Sequence, residues 1–313
     1  MEAGSNKLKN ASHPPFSKGR RKVLITGAGG MLGSAFALRC SEKGFTVRAL
    51  DHTTLDVTNR DAVLQQQEWK PDWIIHCAGI VNADFCEENH ETCFENHVGG
   101  TKNIIELAKA VGAKLFYPQS FLIFDGEENP ITEDTIPHPL SVYGEAKWEA
   151  EQLVCKELPN ALVVRMGGFF GGCERDKNFV GKFARHLKKS IDEDIKEIPV
   201  GDRVWQPTYT KDLAENITLL LENGKTGVYT MASHGEASFF DVATAMVEIL
   251  GIGNNISITQ MHAEEYKEIA KRPFCAVMDN KRLQEEGLDH MREWKKALEE
   301  YLQEPYFTKL FLQ

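Results

Sequence analysis

Residues 141 to 147, Ser-Val-Tyr-Gly-Glu-Ala-Lys, set Tyr143 and Lys147 four positions apart in a stretch with helical spacing. Positions i and i+4 lie on one helix face, so a phenol and an ammonium can reach the same pocket. A free tyrosine, with a pKa near 10, holds its proton firmly, and a nearby ammonium stabilises the phenolate; together they make a tuned proton donor. An exposed helix carries the same spacing without chemistry, so the pair takes its meaning from its surroundings. A second candidate is the run Thr-Gly-Ala-Gly-Gly-Met-Leu-Gly, with Gly27, Gly30 and Gly33. A strand entering a glycine-rich turn and then a helix lets backbone approach a pyrophosphate, while the helix N-terminus supplies N–H donors and a positive dipole end. The spacing is Gly-x-x-Gly-x-x-Gly and departs from the general Gly-x-Gly-x-x-Gly pattern. Asp51 closes the next apolar run, near the distance expected of an acid that binds adenosine ribose hydroxyls.

These residues need a scaffold, and the hydrophobic pattern supplies one. Residues 22–27, 46–51, 72–79, 114–120 and 162–166 read as short buried strands, while 31–44, 96–112 and 143–158 have helical spacing, the first closing on Gly44. Strands alternating with helices predict an α/β fold: a Rossmann-type doubly wound parallel sheet, helices on both faces, with ligands at the carboxyl ends of the strands. After residue 166 the alternation loosens into a smaller interleaved lobe. The expected organisation is a flexible basic tail over 1–21, a dinucleotide-binding domain over 22–166 with returns near 202–232, and a substrate lobe over 167–313. Residues 215–223 read as a core-facing helix and 188–197 as a solvated face or loop.

Composition narrows the function classes. The 313 residues are 42% apolar and 26% charged, with a net charge of −10, so a sizeable core is expected and nucleic acid is not the expected partner. The first 22 residues carry six Lys or Arg against one acid, which sets a basic tail against an acidic body. No apolar run reaches the roughly 18 residues a membrane span needs, and the N-terminus lacks an apolar signal core; no membrane partner and a cytoplasmic location are expected. Seven cysteines, odd in number and without a Cys-x-x-Cys pair, fit reduced thiols. His76, His90 and His97 stand near Cys86 and Cys93, but not at a familiar zinc-ligand spacing, and no metal is expected.

The glycine spacing followed by Tyr-x-x-x-Lys resembles the extended short-chain dehydrogenase/reductases, and within them the dTDP-4-dehydrorhamnose reductase group, over about residues 22 to 300. Leu-Asp-Val-Thr-Asn at 55–59, Asp-Phe-Cys-Glu-Glu-Asn at 84–89, Phe-Asp-Gly at 124–126, Gln-Pro-Thr-Tyr-Thr-Lys-Asp-Leu-Ala at 206–214 and the Arg-Pro segment at 271–283 follow in that group's order. The resemblance implies NAD(P)H-dependent reduction of a nucleotide-activated 4-keto-6-deoxy sugar. Tyr143 is then the general acid, Lys147 its cation and ribose ligand, and Ser120 the partner of the substrate carbonyl, unless it only caps the strand end. For the cofactor, NADP(H) or NAD(H), it implies Gly27, Gly30, Met31, Leu32, Gly33, Asp51, Asp56, Val57, Cys77, Ala78, Gly79, Asn96, Tyr143 and Lys147. An N-cap role accounts for Asn96 equally well. Asp51 argues for NADH, with Arg48 and His52 able to offset its charge. Asp84, Glu87, Arg203, Trp205 and Arg272 are expected on the substrate side, Arg203 and Arg272 at a diphosphate and Trp205 stacking on a base or sugar.

The substrate half departs from the group. Gln119, Ser120 and Phe121 replace Ser-Thr-Asp, and Arg165, Met166, Gly167 and Gly168 replace Arg-Thr-Ser-Trp, so the usual sugar-side tryptophan is missing. Phe121 and Leu122 also argue against a 4,6-dehydratase, which needs an Asp-Glu pair there. Two other readings stand beside the reductase: a nucleotide-sugar epimerase with the same triad, and a non-catalytic dinucleotide-binding subunit resembling the β subunit of methionine adenosyltransferase. A homodimer is a further expectation.

Overall fold

The computed structural model of the chain describes residues 20–262 and 267–312. The basic tail expected over 1–21 lies almost wholly outside the described residues.

Among the described residues twelve strands run in chain order: β1 Lys22–Thr26, β2 Thr46–Leu50, β3 Trp73–His76, β4 Lys114–Ser120, β5 Leu162–Met166, β6 Phe169–Phe170, β7 Glu197–Gly201, β8 Val204–Trp205, β9 Thr208–Tyr209, β10 Gly227–Met231, β11 Ala237–Ser238 and β12 Ser257–Met261. The α-helices among the described residues are α1 Met31–Glu42, α2 Arg60–Gln65, α3 Ala83–Glu88, α4 His90–Phe94, α5 Gly100–Val111, α6 Val142–Glu157, α7 Phe179–Asp192, α8 Thr210–Glu222, α9 Phe239–Leu250, α10 Lys281–Glu285, α11 Trp294–Leu302 and α12 Pro305–Leu312.

Six strands form one sheet in the order β10-β5-β4-β3-β1-β2, every neighbouring pair parallel. From β1 the chain winds outward to β2, then crosses back to lay β3 on the other side of β1. That reversal opens a crevice between the carboxyl ends of β1 and β3, the place where such sheets hold ligands. Side chains alternate along each strand, so Val23 and Ile25 face α1 and α8, whereas Leu24 faces α2 and α5. Phe36, Ile217 and Leu221 seal one face and Ile104, Leu107 and Val154 the other; burying each such side chain contributes about 1.5–3 kcal/mol. A strand covered on both faces must be apolar throughout, which is why these runs are continuous in sequence.

A second core gathers Phe183 and Leu187 of α7, Met246 of α9, Leu298 and Tyr301 of α11, and Phe307 of α12. Between residues 202 and 232 the chain returns to the first sheet, with α8 packed on α1 and β10 paired to β5. Residues 188–197 end α7 and begin β7, with Ser190 buried inside a largely exposed stretch. No helix among the described residues is long and apolar enough to cross a membrane.

One boundary differs from expectation. The helix predicted from Asn96 begins earlier, as α4 at His90, and passes through a π-helical turn, Glu95–Gly99, into α5. Asn96 is therefore no N-cap. Its side-chain oxygen instead accepts from Ile80 N at 3.0 Å, tying the widened turn to the loop after β3.

Candidate active site

The glycine turn fits a dinucleotide. Gly27 has φ of +65°, and a Cβ there would lie 2.6 Å from the backbone of Cys77 and Ala78, so only glycine lets the ends of β1 and β3 meet. Gly30 is the N-cap of α1 and has no side chain to satisfy the free N–H groups of Met31, Leu32 and Gly33, which leaves them for an anion. The Met31 and Leu32 side chains are buried, so any contact they make with a dinucleotide is through backbone.

Asp51, at the end of β2, holds its Oδ1 on the N–H and hydroxyl groups of both Thr53 and Thr54, at 2.7–3.1 Å. The Thr53 and Thr54 hydrogen bonds lower its pKa, so the carboxylate stays ionised. Its Oδ2 lies on the side of Gly29, facing the turn. Arg48 is directed elsewhere, its guanidinium stacked over Trp69 at 4.7 Å from the ring centre and donating to Gln66 Oε1 at 3.1 Å. Asp56 is exposed in a turn with Thr58. The Val57 side chain is buried against Gly100 of α5, so any contact it makes with a dinucleotide is likewise through backbone. Gly79 is exposed, with Ala78 donating from its N–H to Thr26 Oγ1 at 3.3 Å.

Ser120 ends β4 and Tyr143 and Lys147 stand in the first turns of α6, so the sheet delivers one group and the helix two. Ser141 caps α6 by accepting from Gly144 N at 3.2 Å. A Cβ on Gly144 would lie 2.4 Å from the carbonyl oxygen of Leu122, so glycine allows α6 to approach the turn after β4. That approach brings the Tyr143 hydroxyl near Ser120, whose side chain favours the ionised phenol. Lys147 donates to Pro118 O at 2.6 Å, with its ammonium 4.0 Å above the Tyr117 ring.

Behind this group is a clamp that the sequence did not single out. Gln119 donates from Nε2 to Lys147 O at 2.9 Å and to Glu151 Oε2 at 2.8 Å, and its Oε1 accepts from Ser120 N. Glu151 in turn holds Arg165 Nη2 at 2.8 Å, with both side chains almost wholly buried. The departure at 119 and the retained arginine at 165 are thus members of one buried network locking β4, β5 and α6 in register. The only available signal was helical spacing: Tyr143, Lys147 and Glu151 fall at i, i+4 and i+8.

Tyr143 has its pKa raised to about 12, chiefly because burial disfavours phenolate, while the neighbouring Ser120 side chain opposes this. Burial also lowers Lys147 to about 7, with Glu151 opposing. The phenol therefore keeps its proton, which is the state a general acid in reduction requires. His76 and His97 are both lowered to about 3 by burial and stay neutral.

The substrate-side residues are rearranged. Glu87 accepts from Val142 N at 3.0 Å, at the start of α6, and so helps to position that helix. Trp205 is buried in the second core, stacked on Phe239 with ring centres 5.1 Å apart. Its six-membered ring fills the space beside Gly168, where a Cβ would lie only 2.5 Å from it, and Phe121 borders the same spot. A tryptophan at 168 has no room because another is already there. Arg203 is bidentate on Glu268, at 2.7 and 2.9 Å, and Arg272 spans Glu268 and Asp84, at 3.4 and 3.0 Å. Both arginines expected at a diphosphate are thus paired with carboxylates.

Residues 21–307 match the family described as RmlD substrate binding domain. The spore coat polysaccharide biosynthesis protein SpsK of Bacillus subtilis is 29% identical over 287 residues, covering 90% of this chain and 97% of its own length. A dTDP-4-dehydrorhamnose reductase of Mycolicibacterium smegmatis is 30% identical over 283 residues, covering 90% of this chain and 84% of its own. Among solved structures, a dTDP-4-dehydrorhamnose reductase from Clostridium acetobutylicum is similar with a TM-score of 0.83 at 34% identity, covering 90% of this chain and 98% of its own. One from Bacillus anthracis in complex with NADP has a TM-score of 0.83 at 28% identity, covering 90% and 99%.

Proposed function

The chain belongs to the RmlD substrate binding domain family, and from that membership we propose that it reduces a nucleotide-activated 4-keto-6-deoxy sugar with a nicotinamide dinucleotide, in the manner of the dTDP-4-dehydrorhamnose reductases it resembles. The observation that carries the reading is the meeting of Ser120, Tyr143 and Lys147 beside a glycine turn suited to a pyrophosphate. The bound dinucleotide supplies hydride to the ketone carbon. Ser120 Oγ donates a hydrogen bond to the ketone oxygen, and Tyr143 Oη delivers the proton that completes the alcohol. Lys147 orients a ribose hydroxyl and supports recovery of the Tyr143 proton from solvent. Asp51 accepts from adenosine ribose hydroxyls, and its fixed negative charge favours NADH over NADPH.

The sugar and its nucleotide are read less finely. Phe121, Gly168 and Trp205 give an apolar boundary where the rhamnose-pathway pattern places polar groups and a tryptophan, which supports a 4-keto sugar other than the usual rhamnose precursor. The decisive experiment follows reduced-nicotinamide absorbance with NADH or NADPH and a panel of dTDP- and UDP-linked 4-keto-6-deoxy sugars. A fall in absorbance that Tyr143→Phe slows by about 10²–10⁴-fold, with dinucleotide affinity retained, supports the reading. A flat trace across the panel, alongside tight dinucleotide binding, overturns it in favour of a regulatory subunit.

A further inference from the structure

Cys86, Cys93 and His97 meet beside Tyr143 and take no part in the chemistry above. They come from α3, α4 and the π-helical turn, all three are buried, and their ligating atoms lie within 4.8 Å of one another. The two thiols are close enough for each to influence the ionisation of the other. His97 Nε2 lies 2.9 Å from the carbonyl oxygen of Ile80. A carbonyl only accepts, so Nε2 carries the hydrogen and Nδ1 keeps its lone pair. A backbone carbonyl fixing the tautomer in this way is the usual support of a metal-bound imidazole.

We propose that Cys86, Cys93 and His97 form a binding site for a borderline-soft divalent cation of the zinc class. Two sulfurs and one imidazole nitrogen are the donors such an ion takes, with bond lengths of about 2.3 Å and 2.0–2.1 Å that place donors roughly 3.5–4 Å apart. A small contraction of the present cluster meets that requirement. Hard cations such as calcium or magnesium are disfavoured, because the cluster offers no oxygen. Binding exchanges two thiol protons for the cation, so two thiolates, a neutral imidazole and a 2+ ion sum to zero charge. A neutral unit suits the surrounding pocket of Ala83, Val142, Ala146 and Ala270. The ion joins α3 and α4 to the turn holding Asn96, against the face of α6 that carries Tyr143.

The test titrates reduced, desalted full-length protein with Co²⁺ and follows thiolate-to-cobalt charge-transfer absorption, a readout independent of ketone reduction. The expected result is a band that saturates at one equivalent, is displaced by Zn²⁺, persists in Cys155→Ala and disappears in Cys86→Ala/Cys93→Ala with dinucleotide binding retained. Should the double variant not fold, Cys93→Ala alone decides, with a band about half as intense. No thiolate band in the unaltered protein, or an undiminished band in these variants, overturns the proposal.

Discussion

Tyr143 and Lys147 were legible from their spacing, but their charge states were not. Burial opposes ionisation of both, leaving a phenol that keeps its proton and an amine near pKa 7. The lysine result has a stability consequence. Between about pH 7 and 10.5 the unfolded chain binds a proton at Lys147 that the folded chain does not, so stability rises with pH across that window and the full cost is present below it. Comparing urea midpoints, Lys147→Met should exceed the unaltered protein by several kcal/mol, on the order of 4, near pH 6, with the gap closing toward pH 10. A gap that does not change with pH would mean the amine stays charged in the fold. Asp51 makes a second residue-scale prediction. With Oδ1 held by Thr53 and Thr54 and Arg48 turned toward Trp69, its charge would oppose a 2′-phosphate on the proposed dinucleotide. NADH should be the better cofactor, and Asp51→Ser should raise the NADPH-to-NADH ratio of kcat/KM by about tenfold or more. An unchanged ratio removes Asp51 from that role.

At the scale of elements, strand signals at 114–120 and 162–166 coincided with β4 and β5 because strands covered on both faces must be apolar throughout. The region from residue 84 to 99 was harder to read. A helix break at Asn89 and a π-helical turn depend on contacts with the loop after β3 and with α6, none of them local in sequence. Glu87 shows the result: a residue that resemblance placed at the substrate receives the first N–H of α6. Glu87→Ala should lower stability by about 0.5–2 kcal/mol, as loss of a helix-terminal acceptor does, and should reduce kcat more than it raises KM. Glu87→Gln, which keeps a side-chain oxygen, should restore most of both. A defect confined to KM would return Glu87 to the substrate.

Across the whole molecule, the chain Arg203–Glu268–Arg272–Asp84 links the segment before β8, the loop after β12 and α3. If the two arginines receive a diphosphate, Glu268 competes with it. Glu268→Gln should then lower KM for a nucleotide-sugar substrate by roughly fivefold, equivalent to about 1 kcal/mol, with the effect shrinking in high salt. An unchanged KM with a lowered Tm would make the network structural. By itself the sequence determined the alternation of strands and helices, the glycine turn and the one-face placement of Tyr143 and Lys147, because each rests on periodicity or on a local backbone demand. Tertiary structure alone decided that Gln119, Glu151 and Arg165 form one clamp, that Trp205 fills the space beside Gly168, that both arginines are paired, and that two thiols and an imidazole share a pocket. Those outcomes depend on which distant side chains meet after the sheet has wound back on itself, and no short-range pattern carries that information.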